Sequence, residues 1–253
     1  AGPMLVYFDR FAIGALLGGA AVAFYVIGFN IIMQMLLVPT AFSRALFPHF
    51  ASMEIAESAK QGAEASRLLL IVAMLMTLVA MALISPFLHV WLGADIAAQS
   101  TPVTIILLIG FWANSAAQSA FTHLQSKGRA DLPAKAHLLE LLPYFALFYL
   151  LTVKFGIVGA ATAWTARAVS DFIILQVIDG LDRSLRRLIA ATLAFVVLAT
   201  AVQFLVNGPW LRFVSGLVVV AAASIFARTV APPSATEQLS AIFARLRPAR
   251  ELQ

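Results

Sequence analysis

Residues 68–88 read LLLIVAMLMTLVAMALISPFL, an apolar run without a single charge. A helix rises about 1.5 Å per residue, so about 20 apolar residues cross a hydrocarbon core of ~30 Å. This run is long enough to span a membrane, and the pattern recurs along the chain. Outward from it, spans are expected at Ala20–Ser43, Val103–Leu124, Ala136–Val153, residues 157–178, Leu188–Val206 and Leu211–Val230. A shorter one, Ala1–Leu17, is interrupted by Asp9 and Arg10. The expected fold is all-α, a polytopic transmembrane helix bundle of about eight spans.

Composition agrees. Of 253 residues 62% are hydrophobic and 11% charged, and mean hydropathy is +0.93. Soluble domains carry roughly 25% charged residues, so lipid must cover much of this surface. There is no cysteine, which excludes disulfides and thiol chemistry. The net charge of +5 does not mark a nucleic-acid binder, because the basic residues fall in short clusters between apolar runs. The chain opens at Ala1 with neither a basic leader nor an initiator Met. Two readings stand: a fragment of a longer protein, its first span then cut short, or a natural half that needs a partner half.

Punctuation fits the spans. Gly18-Gly19 and Lys154-Phe155-Gly156 make tight turns, Pro39 introduces a kink, and Asn207-Gly208-Pro209 separates the last two spans. The Glu-rich stretch His49–Ser66 is expected as an amphipathic surface helix. Trp91 to Asp95 is expected as a loop at headgroup level. Past Pro232-Pro233, Leu239, Ile242, Phe243 and Leu246 alternate with Arg245, Arg247 and Arg250, the pattern of a basic amphipathic helix on a membrane surface. Four units are thus expected: a bundle over 1–178, a linker over 179–187, two further spans over 188–230, and a basic tail over 231–253.

With the first span running outward, one set of loops holds Arg44, Lys60, Arg67, Lys127, Arg129, Lys135, Arg183, Arg186 and Arg187. With Arg228, Arg245, Arg247 and Arg250 these make 13 of the 17 Lys and Arg residues. The opposite loops hold Lys154 and Arg212. The positive-inside rule places the rich set, and the C-terminus, in the cytoplasm.

Ionisable side chains at membrane depth cost about 2.5–3.5 kcal/mol each on insertion scales and so face a bundle interior or a wet cavity. Asp9 and Arg10 lie in the first span. Trp164, Arg167 and Asp171, at i, i+3 and i+7, share one helix face. One reading is an electropositive cavity for an anionic group, with Asp9 and Asp171 as partners or ion couplers. The other is ion pairs that fix packing, Arg167 with Asp171 within one helix. Asn114, Gln118, Thr122 and Gln125 form a polar stripe on the fourth span, answered on the fifth by His137, Glu140 and Tyr144, while Asn30 and Gln34 share a face on the second. Such stripes line a hydrophilic path or bond helix to helix at about 0.6 kcal/mol per contact. Tyr25 falls off the Asn30–Gln34 line, and His137 is placed near the cytoplasmic end, in solvent. No metal spacing stands out; His137-x-x-Glu140 is a two-ligand fragment only. No Walker sequence or nucleophile elbow is present, and no cofactor is expected.

A family resemblance now emerges. Phe8-Asp9-Arg10-Phe11-Ala12-Ile13-Gly14 is followed by Ala21-Val22-Ala23-Phe24-Tyr25, Pro39, Leu46-Phe47-Pro48 and Trp91-Leu92-Gly93. Then come Gln125-Ser126-Lys127-Gly128-Arg129-Ala130-Asp131, Ala134-Lys135-Ala136-His137 with Leu139-Glu140, and Phe155-Gly156-Ile157-Val158-Gly159-Ala160-Ala161. In order and spacing, over roughly residues 1–180, this resembles the C-terminal half of bacterial O-antigen and exopolysaccharide flippases. Those belong to the multidrug/oligosaccharidyl-lipid/polysaccharide exporter superfamily.

The resemblance implies two six-helix bundles around a central cavity, in some members with two extra C-terminal helices. It implies a transporter, not an enzyme, that moves polyprenyl-pyrophosphate-linked oligosaccharide across the bacterial inner membrane for lipopolysaccharide or exopolysaccharide synthesis. This chain would be the second bundle plus the two extra helices, completed by a missing N-terminal bundle. Its implied partners are the lipid-linked oligosaccharide, membrane lipids, a polysaccharide polymerase and glycosyltransferases. Arg10 and Arg167 would counter the pyrophosphate. Gln118, Gln125, Glu140, Tyr144, Asn30 and Gln34 would complete the cavity lining. A multidrug or peptidoglycan-precursor exporter of the same superfamily is the near alternative, and a membrane-embedded glycosyl- or acyltransferase the remote one.

Overall fold

A computed structural model describes residues 2–180 and 183–231. Among them every regular element is helical: α1 (Gly2–Leu17), α2 (Gly19–Met35), α3 (Leu37–Ser52), α4 (Ile55–Leu92), α5 (Ala94–Ser126), α6 (Asp131–Asp179), α7 (Arg183–Leu205) and α8 (Pro209–Val230). Among the described residues six stretches are long and apolar enough to cross a membrane: Gly19–Ser52, Lys60–Leu92, Ala94–Ser126, Asp131–Asp179, Arg183–Leu205 and Pro209–Val230. The protein is a multi-pass membrane helix bundle.

Local chemistry sets the breaks. The α2–α3 interruption falls at Leu36, three residues before Pro39. That proline lacks an N–H, and its ring crowds the carbonyl of Met35 four residues back. The expected kink is therefore visible as a one-residue break in one long crossing. The 49-residue α6 bends at Gly156, whose φ of 60° and ψ of −142° suit glycine. Its arms, 131–155 and 157–179, run antiparallel, since Glu140 meets Arg167 and His137 meets Asp171. Two crossings in α6 bring the long arms to seven. The eighth expected span is α1, whose 16 residues reach about 24 Å, short of a ~30 Å core.

The Glu-rich stretch is not a surface helix of its own. Its first residues finish α3 at Ser52, a turn follows at Met53, and the rest forms the opening turns of α4, which continues unbroken to Leu92. Glu57, Lys60, Gln61 and Glu64 are good helix formers, so polarity changes the environment of this helix without ending it. The loop expected after Trp91 shrinks to a reversal at Gly93, φ 84°. The 179–187 linker contains the end of α6 and, from Arg183, the first turn of α7. Apart from Ala231, the basic tail with Arg245, Arg247 and Arg250 lies outside the described residues.

Helix α5 is the axis of the bundle, packed by α4, α6, α2 and α3. Ala113, Ser115, Ala116, Ala117, Ser119 and Ala120 are all buried, and such small residues let helices approach closely. Hydroxyls and amides bond across: Ser66 Oγ to Ser119 Oγ at 2.7 Å, Thr165 Oγ1 to the Ile106 carbonyl at 2.8 Å, Gln176 Nε2 to the Ala116 carbonyl at 3.2 Å. Gly110 leaves the space that the Trp164 ring fills. Helices α7 and α8 lean on α4 and on each other. The perimeter is apolar: Leu138, Leu142, Val218 and Ile225 are each at least 66% exposed, the surface that acyl chains must cover.

Candidate functional site

The charged residues gather where α1, α2, α5 and both arms of α6 converge. On α6, Glu140 and Tyr144 lie near the middle of the first arm, Arg167 near the middle of the second. Arg167 Nε stands 4.0 Å from Glu140 Oε2, and its guanidinium carbon lies 5.5 Å from the centre of the Tyr144 ring, a cation–π geometry. One turn toward the arm ends, His137 Nε2 meets Asp171 Oδ1 at 2.9 Å. The His137 ring also stacks on Phe121 of α5, 6.0 Å between centres.

This corrects the pairing expected from sequence. Arg167 and Asp171 are one turn apart on one helix, but each turns to the other arm. The antiparallel register places 140 opposite 167 and 137 opposite 171, and a partner across the hairpin lets both charges face the interior. His137 is likewise not simply in solvent.

A second cluster joins α1 to α2. The Tyr25 hydroxyl donates to Asp9 Oδ2 at 3.0 Å, and the Arg10 backbone N–H donates to Asp9 Oδ1 at 2.9 Å. Arg10 Nη2 donates to Asn30 Oδ1 at 3.1 Å, and its guanidinium sits over the Phe29 ring at 5.6 Å. Asp9 is buried to 4% exposure, and these donors compensate its desolvation. Tyr25, off the Asn30–Gln34 line, is thus the residue that anchors Asp9.

Three clefts meet at Arg167. A cleft of about 510 Å³ is lined by Asp9, Phe29, Asn114, His137, Tyr144 and Trp164 among others. A smaller one, about 160 Å³, opens between Asn114, Gln118, His137 and Asp171. A third, about 280 Å³, runs between the α6 arms past Glu140, Tyr144 and Ser170. Arg167 lines all three, and the first is bordered by both ionic clusters. Of the residues expected from sequence, Asp9, Gln118, Glu140, Tyr144, Arg167 and Asp171 come together. Arg10 and Asn30 hold each other beside Asp9. Gln34 is exposed on α2 and Gln125 half-buried near the α5 terminus; neither lines these clefts.

Asn114 and His137, which the sequence places on the polar stripes but not among the substrate-binding residues, line these clefts as well. Asn114 was legible, at i, i+4 from Gln118 on the polar stripe; His137 needed its partner across the hairpin. Chemically, the Arg167 guanidinium stands between two carboxylates, Glu140 and Asp171, with the amides of Asn114 and Gln118 and the Tyr144 phenol lining the same clefts, a polar, charge-paired interior.

No protein-family model matches the chain, and no solved structure matches it. The chain is 34% identical over 175 residues to a curated Shigella flexneri protein named "Putative O-antigen transporter". The match covers 69% of this chain and 42% of that protein, so this chain spans well under two thirds of its relative. Over most of its length the chain is therefore similar to a protein of the polysaccharide-flippase type, in keeping with the family its motifs resemble.

Proposed function

We propose that this chain forms about half of a flippase that moves a polyprenyl-pyrophosphate-linked oligosaccharide across the bacterial inner membrane. The lipid tail stays in the bilayer, while pyrophosphate and sugar need a wet, positive interior. The observation that carries the reading is Arg167, a cation at mid-span that lines three adjoining clefts. A guanidinium offers forked donors matched to phosphate oxygens. Asn114, Gln118 and Tyr144 supply groups that bond sugar hydroxyls. Glu140 and Asp171 balance the arginine when the cavity is empty and, with Asp9, are candidates for ion coupling.

The transporter-named relative supports an export role and a non-enzymatic one. A second helix bundle would close the cavity on the side that α1, α2 and α6 leave open, and rocking of one bundle against the other would alternate access. The basic loops and the C-terminus then lie in the cytoplasm. The deciding experiment is Arg167→Ala in the complete transporter. Surface polysaccharide should disappear while membrane insertion stays normal; wild-type export by this variant would remove Arg167 from substrate binding.

A further inference from the structure

At the opposite end of the bundle from the basic loops lies a cleft of about 300 Å³ that the translocation site does not use. It is bounded by Ser85 and His89 of α4, the first turn of α5 from Ala94, Thr101, and the first turn of α8 from Pro209 to Arg212. Two helix N-termini open into it. Their N-caps are Gly93 and Gly208, and neither helix has a side-chain cap; α5 keeps free N–H groups in its first turn, while α8 begins with Pro209, which has none, and offers those of Trp210 and Leu211. Asp95, in the same turn of α5, is exposed and does not line the cleft.

Side chains point to the same ligand. Arg212 spends only its Nε on the protein, donating to the Val206 carbonyl at 2.7 Å. The rest of its fork has no partner among the described residues. Ser85 and Thr101 are each only 5% exposed, yet their hydroxyls line the cleft without a described hydrogen-bond partner. Buried hydroxyls on membrane helices commonly bond back to a carbonyl one turn away, as Thr77 and Thr104 do here. Ser85 and Thr101 do not, nor do Ser43, Ser100, Ser115 and Thr152, but Ser85 and Thr101 border this cleft. Flanking the cleft on the same helix ends is an apolar groove of about 570 Å³, walled by Phe87, Val90, Trp91, Trp210 and Phe213.

We infer that this cleft binds the phosphate of an anionic phospholipid, with its acyl chains along the aromatic groove. Two helix dipoles and a guanidinium favour the phosphodiester, the hydroxyls donate to its oxygens, and the groove distinguishes a lipid from free phosphate. Such a lipid would tie the α4–α5 reversal to the α7–α8 turn, and so fasten the two outer helices to the bundle.

The test is native mass spectrometry of the full chain in detergent with added phosphatidylglycerol, phosphatidylcholine or inorganic phosphate. The wild type should retain phosphatidylglycerol over phosphatidylcholine by roughly tenfold, as expected from one or two charge-assisted bonds. Arg212→Gln should erase that preference, and Arg212→Lys, which keeps the cation without the Nε bond to Val206, should keep most of it. Should Arg212→Gln fail to fold by circular dichroism, Ser85→Ala with Thr101→Val carries the test and should lower the preference several-fold. Equal retention of the two lipids by the wild type overturns the site. So does unchanged preference in Arg212→Gln or in the double variant. Displacement of phosphatidylglycerol by millimolar phosphate overturns the lipid assignment in favour of a free anion.

Discussion

Arg167 Nε and Glu140 Oε2 face each other at 4.0 Å across the α6 hairpin, close enough to attract and too far for a hydrogen bond. The Arg167 side chain keeps 36% of its surface while that of Glu140 keeps 8%. The carboxylate is thus the fixed partner and the guanidinium the one that reaches the clefts. A phosphate arriving beside Arg167 would compete with a loose contact.

That asymmetry is testable by exchange. Glu140→Arg combined with Arg167→Glu keeps one charge of each sign between the arms but buries the cation. The exchanged protein should insert and resist heat like the wild type, while polysaccharide export falls at least about tenfold, the loss of one charge-assisted contact to phosphate. Export at the wild-type level would show that the pair serves packing alone.

Asp9 should tolerate loss of charge better than loss of an acceptor. Asp9→Asn retains an oxygen for the Tyr25 hydroxyl, whereas Asp9→Ala leaves that buried donor unmet at a cost of about 1–3 kcal/mol. In thermal unfolding in detergent, Asp9→Ala and Tyr25→Phe should both lower the midpoint, with Asp9→Asn nearest the wild type. A ranking with Asn as the worst of the three would contradict the assigned hydrogen bond.

Gly156→Ala should loosen the hairpin. Its φ of 60° with ψ of −142° lies where a Cβ costs on the order of 1–3 kcal/mol. The unfolding midpoint should drop, and export should fall with it, because the 140–167 and 137–171 pairs depend on arm register. An unchanged midpoint would place the bend elsewhere.

At the basic end of the bundle, His123 Nδ1 meets Asp179 Oδ1 at 2.6 Å and His123 Nε2 meets Ser58 Oγ at 3.1 Å, joining α4, α5 and α6. Lys127 Nζ adds bonds to the carbonyls of Phe50 and Met53 at 3.0 and 2.9 Å. Asp179→Ala should cost about 1.5–3 kcal/mol, the range for a hydrogen bond to a charged group. Amide exchange should quicken at the α5 C-terminus more than at its centre. Uniform exchange along α5 would count against a local clasp.

A reporter fused after Gln253 should be active on the cytoplasmic side of the membrane. Periplasmic activity would invert the charge-based topology.

Much of the fold was legible in the residues, because a bilayer imposes one dominant rule: backbone groups must bond within their own segment, so apolar runs of sufficient length become helices. Residues 68–88, the Gly156 turn and the Asn207-Gly208-Pro209 break all follow from it. Composition could not tell where a helix stops once it leaves the bilayer, so the Glu-rich stretch proved to be the start of α4. Nor could it tell which charges meet. Helical spacing shows that Arg167 and Asp171 share a face, but their partners, Glu140 and His137, are selected by the antiparallel register of a second arm. Periodicity is a property of one segment and register a property of two. Only packing in three dimensions could turn Tyr25 toward Asp9, bring Asn114 beside Arg167, and leave Ser85 and Thr101 facing an open cleft.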